Sequence, residues 1–129
     1  MQRTNVDIVR QIYEAFRQRN EAEIYAFVSP EIKTTQSRAL PWGGEYSGRD
    51  GLRRFLMALF QHVDSRVEIE RYVDAGEHVV AVGHTIGTVR AGGRPFDVPV
   101  IHVWHFRDGQ AIGFHPYIEN AKMLAALGA

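Results

Sequence analysis

Residues 95–119, PFDVPVIHVWHFRDGQAIGFHPYIE, constrain the fold more than any other stretch of the chain. They read as a long strand, a tight turn at Asp108-Gly109 and a second long strand. Side chains alternate faces along a strand with period two. Val98, Val100, His102, Trp104 and Phe106 therefore share one face, and Ile101, Val103 and His105 share the other. His102 is a titratable ring in the middle of a largely apolar face. It is either a core histidine with its polar atoms satisfied or the polar centre of an apolar cavity, and the functional reading depends on that choice.

Two more strands precede this hairpin. Arg66 to Asp74 turns at Ala75-Gly76 into His78 to Arg90, which turns at Gly92-Gly93 into the strand from Phe96 to Phe106; Gln110 to Ile118 is the last. Such short turns make an antiparallel meander. Helical periodicity dominates the first half instead. Thr4 and Asp7 fit a capping box, followed by Ile8, Val9, Ile12, Tyr13 and Phe16 at helical spacing. A short second helix, around Glu21 to Val28, is expected to stop at Ser29-Pro30, because the residue before proline avoids the helical region. Glu31 to Ser37 suggests a short strand and Arg38 to Gly48 a loop. Ser47 and Asp50 suggest a second capping box, before the apolar series Leu52, Phe55, Leu56, Leu59, Phe60 and Val63. Met123, Leu124 and Leu127 suggest a closing helix. Helices followed by a meander make an α+β fold.

The third strand is apolar on both faces, whereas antiparallel sheets commonly leave one face wet. Helices cover one face. A second copy of the chain is expected on the other, as a homodimer packed sheet to sheet.

Composition narrows the function classes. The 129 residues fit one domain, 1–129. Fifteen basic and fifteen acidic side chains cancel, with no basic run, which argues against a nucleic-acid partner. Cysteine is absent, so there is no thiol nucleophile and no zinc-thiolate site. No apolar run approaches the ~20 residues of a membrane span, and the N-terminus reads as a helix and not a signal peptide. The expectation is a cytoplasmic protein away from membranes. No phosphate-binding glycine loop and no G-x-S-x-G elbow occur. His102 and His105 face opposite ways, and His102 with His84 makes only two ligands, so neither a metal nor a cofactor is expected.

The order of elements, with IYEAFRQRNEAEIYAFVSPEI, WGGEYSGRDGLRRFL and FDVPVIHVWHFRDGQAIGFHPYIENA, resembles the nuclear transport factor 2-like superfamily. Within it, the chain is similar to SnoaL-like polyketide cyclases and ketosteroid isomerase-related proteins. The resemblance implies a cone-shaped curved antiparallel (mixed) sheet wrapped by three N-terminal helices, the cystatin-like or nuclear transport factor 2-like roll. It also implies a deep apolar pocket and a dimer. Ketosteroid isomerase is a known case of a tuned oxyanion hole with a carboxylate base. Its tyrosine falls on Tyr13, its oxyanion aspartate on His102, and its base on or beside Gln36, which cannot take a proton. The cyclase pattern of a histidine on the penultimate strand suits His102. The acid expected on the last strand near Phe114 to Ile118 is missing, since no carboxylate follows there until Glu119. The Arg and Asp constellation of limonene epoxide hydrolases has no match.

The candidate site therefore centres on His102 as acid–base or carbonyl-polarising group and Tyr13 as hydrogen-bond donor. Trp104, Phe114, Ile118 and Phe55 are candidate walls, Trp42 a candidate lid and Gln36 a polar contact. His84 would pair with His102 unless the register slips by one. Each also has a plainer reading as core or surface. Two functions stay open. One is a cofactor-independent isomerase or cyclase acting on a small apolar carbonyl compound; the other is a non-catalytic ligand-binding or dimerisation module.

Overall fold

The first turn of the chain is closed by its own side chains. In the computed structural model, which describes residues 4–128, helix α1 (Asn5–Arg17) opens on Thr4. Its hydroxyl accepts from Asp7 N–H while the Asp7 carboxylate accepts from Thr4 N–H. Both halves of the expected capping box are thus formed. Helix α2 (Glu21–Ala26) ends earlier than expected, and Val28 opens β1 (Val28–Gln36). Pro30 lies inside this strand and does not terminate a helix. The pairing of β1 with the last strand shifts register between Val28 and Lys33, so the missing N–H falls where the ladder is already interrupted.

The expected loop at 38–48 contains a short strand, β2 (Gly44–Ser47), antiparallel to β1. Helix α3 (Gly48–His62) follows, without the second capping box. Ser47 makes no cap hydrogen bond and accepts instead from Lys33 Nζ at 3.1 Å, because Ser47 is still a sheet residue paired with Lys33. Val63, expected at the end of this helix, is the first residue of β3 (Val63–Ala75). The strands β4 (His78–Val89), β5 (Pro95–Arg107) and β6 (Gln110–Ile118) complete the meander, and α4 (Asn120–Leu127) closes the chain. At the β5–β6 turn Asp108 and Gly109 have φ of 50° and 75°, the left-handed pair that a two-residue hairpin needs.

The six strands form one mixed sheet in the order β2-β1-β6-β5-β4-β3, with only β1 and β6 parallel. The sheet curves around α1 and α3, an α+β roll. Two glycines of β4 sharpen that curvature. A Cβ on Gly83 would lie 2.0 Å from the Glu68 carbonyl oxygen, and one on Gly87 2.1 Å from that of Asp64. The backbone of β3 thus closes down onto β4 where no side chain stands in the way. A register shift between Ile69 and Arg71 adds a bulge to β3. Ser65 to Glu68 are thereby carried over the concave side of the sheet. The core on that side joins Ile8, Val9 and Ile12 of α1 to Leu52 and Phe55 of α3 and to Trp104, Phe106 and Phe114 of the sheet. Among the described residues no helix is long and apolar enough to cross a membrane.

Candidate ligand-binding site

The register of β5 decides what faces the concave side. His102 pairs with Ala81 of β4 and with Pro116 of β6. Buried and exposed residues alternate along the first part of β5, with Val98, Val100, His102, Trp104 and Phe106 all buried. This matches the face expected from period two. Between this sheet face and the helices lies a cavity of about 460 Å³. Its inner walls are Tyr13 and Phe16 from α1, Phe55, Leu56, Leu59 and Phe60 from α3, Phe96, Val100 and His102 from β5, and Phe114 and Ile118 from β6. A second depression, of about 480 Å³, lies between residues 38–41, the end of α3 and α4. None of the buried polar side chains lines it.

His102 is 7% exposed. Its Nδ1 lies 2.6 Å from the Tyr13 hydroxyl, and the Trp104 indole N–H donates to the same hydroxyl at 3.0 Å. An indole only donates, so it occupies a lone pair of the Tyr13 oxygen. Among the described residues the single Tyr13 proton then has one nearby acceptor, His102 Nδ1. The chain Trp104→Tyr13→His102 thus assigns the neutral imidazole with its proton on Nε2. Burial points the same way: it pushes the His102 pKa down to about 4 and raises that of the Tyr13 phenol, against a smaller lowering from the Trp104 bond. Both groups are neutral near pH 7. Among the described residues His102 Nε2 has no hydrogen-bond partner. The polar centre of this apolar cavity is a neutral N–H donor.

The aromatic packing holds that donor in place. Phe114 stacks on Trp104 at 4.2 Å and meets the His102 ring edge-on at 5.3 Å, while Tyr13 meets Trp104 edge-on at 5.9 Å.

The other expected site residues divide. Phe55, Phe114, Ile118, Trp42 and Gln36 line the cavity. Gln36 has no proton to lose or gain, and its amide N–H donates to the Pro116 carbonyl at 2.9 Å. Trp42 is a fixed wall and not a lid: it is 2% exposed, and its carbonyl accepts from Tyr46 Oη at 3.0 Å. Trp104 does not reach the cavity; it lies behind Phe114 and acts through Tyr13. His84 is on the other face of the sheet. Its partner in β5 is Pro99, and its ring nitrogens lie 2.7 Å from Asp97 and 2.9 Å from Glu70. The one-residue register choice that places it there is invisible in the β4 sequence. Tyr13 is also corrected in part, because its only proton is directed at His102 and not at a ligand.

Sequence reasoning missed the helical walls Phe16, Leu56, Leu59 and Phe60 and the charged edge. Phe16, Leu56, Leu59 and Phe60 are only half-buried, wider apolar stripes than a filled core would use, and that width was the available signal. Arg17, Arg19, Arg66 and Glu68 are exposed and border the same cavity. Among the described residues no group of three His, Cys, Asp or Glu side chains is arranged to hold a metal ion.

The SnoaL-like domain profile matches residues 9–113. Among solved structures, the chain superposes with a TM-score of 0.91 on an NTF2-like protein of unknown function from Burkholderia pseudomallei K96243. The two are 27% identical over 99% of this chain and 100% of the other. An NTF2-like protein from Burkholderia thailandensis E264 gives 0.89 at 28% identity over 98% of both chains. TerC, co-crystallised with polyporic acid, gives 0.88 at 20% identity over 97% of this chain and 98% of that one. No protein of curated function matches the chain.

Proposed function

The chain belongs to the SnoaL-like domain family, and from that premise we propose that it binds a small apolar molecule through a carbonyl oxygen seated against Nε2–H of His102. One observation carries the reading: a neutral N–H donor, unpartnered among the described residues and held by Tyr13 and Trp104, in a cavity whose walls are mostly aliphatic and aromatic. A cavity of about 460 Å³ falls in the size range of small-molecule sites. The polyporic acid bound by the similarly folded TerC is consistent with a ligand of this kind.

The chemistry available is polarisation. A fixed N–H aimed at a carbonyl stabilises the negative charge that grows on oxygen during enolisation or aldol-type closure. Turnover of the isomerase or cyclase type needs a proton acceptor as well, and the position where a base is expected holds Gln36. This absence favours a second reading, binding without turnover. Both readings predict the same hydrogen bond. Infrared spectroscopy of 2-acetylnaphthalene labelled with ¹³C at the carbonyl tests it. The carbonyl stretch of the bound ketone should shift to lower frequency in the wild-type protein, and the shift should vanish in His102→Leu. A bound ketone with an unshifted carbonyl in the wild type sinks the proposal.

We propose further that a second copy of the chain covers the convex face of the sheet, where Ile101 and Tyr117 stand opposite each other and exposed.

A further inference from the structure

The cavity has an apolar interior and a charged edge, and the two ends ask for different chemistry in one ligand. We infer that the physiological ligand carries an anionic group, such as a carboxylate, which Arg19 holds at the mouth while the apolar body and carbonyl lie inside. This inference rests on the ligand-binding reading given above.

Three arginines border the cavity at exposed positions, Arg17, Arg19 and Arg66. Two are already matched by carboxylates. Arg17 pairs with Glu14, and Arg66 pairs with Glu68 at 2.9 Å. Arg19 forms no ion pair among the described residues; its guanidinium lies 4.6 Å above the Phe60 ring, and Phe60 is itself a wall of the cavity. The mouth therefore carries a surplus positive charge in a chain whose formal net charge is zero. Stacking on an aromatic ring restrains the guanidinium and leaves its in-plane N–H groups free, the geometry that a bidentate carboxylate uses.

The backbone supplies an independent observation. Asn20 N–H donates to the Ala15 carbonyl at 2.9 Å and Arg19 N–H to the Phe16 carbonyl at 3.1 Å. This is the Schellman pattern that ends a helix, with Arg19 at the left-handed position. Arg19 has φ 57°. Glycine is the usual residue there, because a Cβ is strained in that region. An arginine at a position built for glycine costs the fold something, and strain of this kind points to a use for the side chain.

The same feature makes the test clean, since Arg19→Gly removes the charge and relieves the backbone. Two dyes share one body: N-phenyl-1-naphthylamine is neutral, and 1-anilinonaphthalene-8-sulfonate adds one sulfonate. Fluorescence titration at 1:1 stoichiometry should find the sulfonate bound roughly tenfold more tightly by the wild type, about what a charge-assisted hydrogen bond contributes. Added salt should erode that preference. In Arg19→Gly the preference of the sulfonate over the neutral dye should disappear while both dyes still bind, and the melting temperature should be unchanged or higher. Equal affinity for both dyes in the wild type, or an undiminished preference in Arg19→Gly, overturns the inference and leaves the apolar site standing. If neither dye binds, the ligand-binding reading fails and this inference fails with it.

Discussion

At the residue scale the site is defined by where protons sit. Trp104 can only donate, so its bond to Tyr13 sets the direction of the next one and leaves His102 with a proton on Nε2. Replacing the missing base tests whether only a proton acceptor separates this cavity from an enolising one. Gln36→Glu keeps the side-chain length but turns an N–H donor to the Pro116 carbonyl into an acceptor facing it. That repulsion, with the apolar surroundings, raises the carboxyl pKa towards the range of a useful base. Exchange of the methyl protons of bound 2-acetylnaphthalene into deuterated water, followed by NMR, should accelerate by about 10²-fold over wild type. No acceleration would mean that His102 and residue 36 do not address the same ketone.

The protonation of His102 also has a stability consequence. Its pKa is pushed down to about 4 by burial in the folded chain and returns to about 6.5 on unfolding. Below pH 6.5 the unfolded chain binds the extra proton, so stability is complete above that pH and falls as the pH drops towards 4. Between pH 7 and pH 4.5 the wild type should lose about 2–3 kcal/mol more than His102→Gln, by denaturant titration at each pH. Parallel losses in the two proteins would place His102 in a more solvated setting than the structure gives it.

At the element scale the mouth depends on how tightly β3 lies on β4. Gly83 and Gly87 are β4 residues where a Cβ would meet β3 backbone at 2.0 and 2.1 Å. Gly83→Ala should therefore lower stability by about 3 kcal/mol, the upper end of overpacking costs. It should also loosen binding of the neutral naphthylamine dye, because Ser65 to Glu68 move with β3. An alanine variant as stable as wild type would mean that the curvature does not need the glycine.

These strands also separate what was legible in the sequence from what was not. Period-two alternation put Val98, Val100, His102, Trp104 and Phe106 on one face, and all five are buried, because β5 is regular around His102. The side taken by His84 depended on the β4–β5 register, which a one-residue change would reverse. The arginines at the mouth were unreadable, since they border the cavity only after α1 ends in a left-handed turn and β3 folds over β4. Pro30 misled for a local reason. It looked like a helix stop, yet it sits in a strand at a gap in the ladder.

At the scale of the whole molecule, the convex face of the sheet sets the last prediction. Register places Val73, Val80, Val103 and His115 in one row across the strands, and Arg71, Val82, Ile101 and Tyr117 in the next. Ile101 is 47% exposed and Tyr117 62% exposed, as pairing partners on neighbouring strands. A second copy seated on this face removes both from water, which stabilises association in proportion to the apolar area covered. Histidines surround the patch. His78 and His105 stack at 4.3 Å, His105 lies 3.8 Å from Glu77, and His115 lies 2.7 Å from the Thr35 hydroxyl. Burial lowers the His115 pKa, with His105 and His78 adding to the effect. His84 lies on the same face, between Glu70 and Asp97. A partner that buries the neutral His115 imidazole further disfavours its charged form, so association should weaken as the pH falls. Sedimentation equilibrium should find a dimer at pH 7.5, partial dissociation at pH 5, and a monomer for Ile101→Glu at either pH. The Ile101→Glu melting temperature, measured at protein concentrations where the wild type is also monomeric, should be close to wild type, because residue 101 points away from the core. A wild-type monomer at pH 7.5 and high micromolar concentration would leave Ile101 and Tyr117 as solvent-facing residues and remove a second copy from the account of this fold.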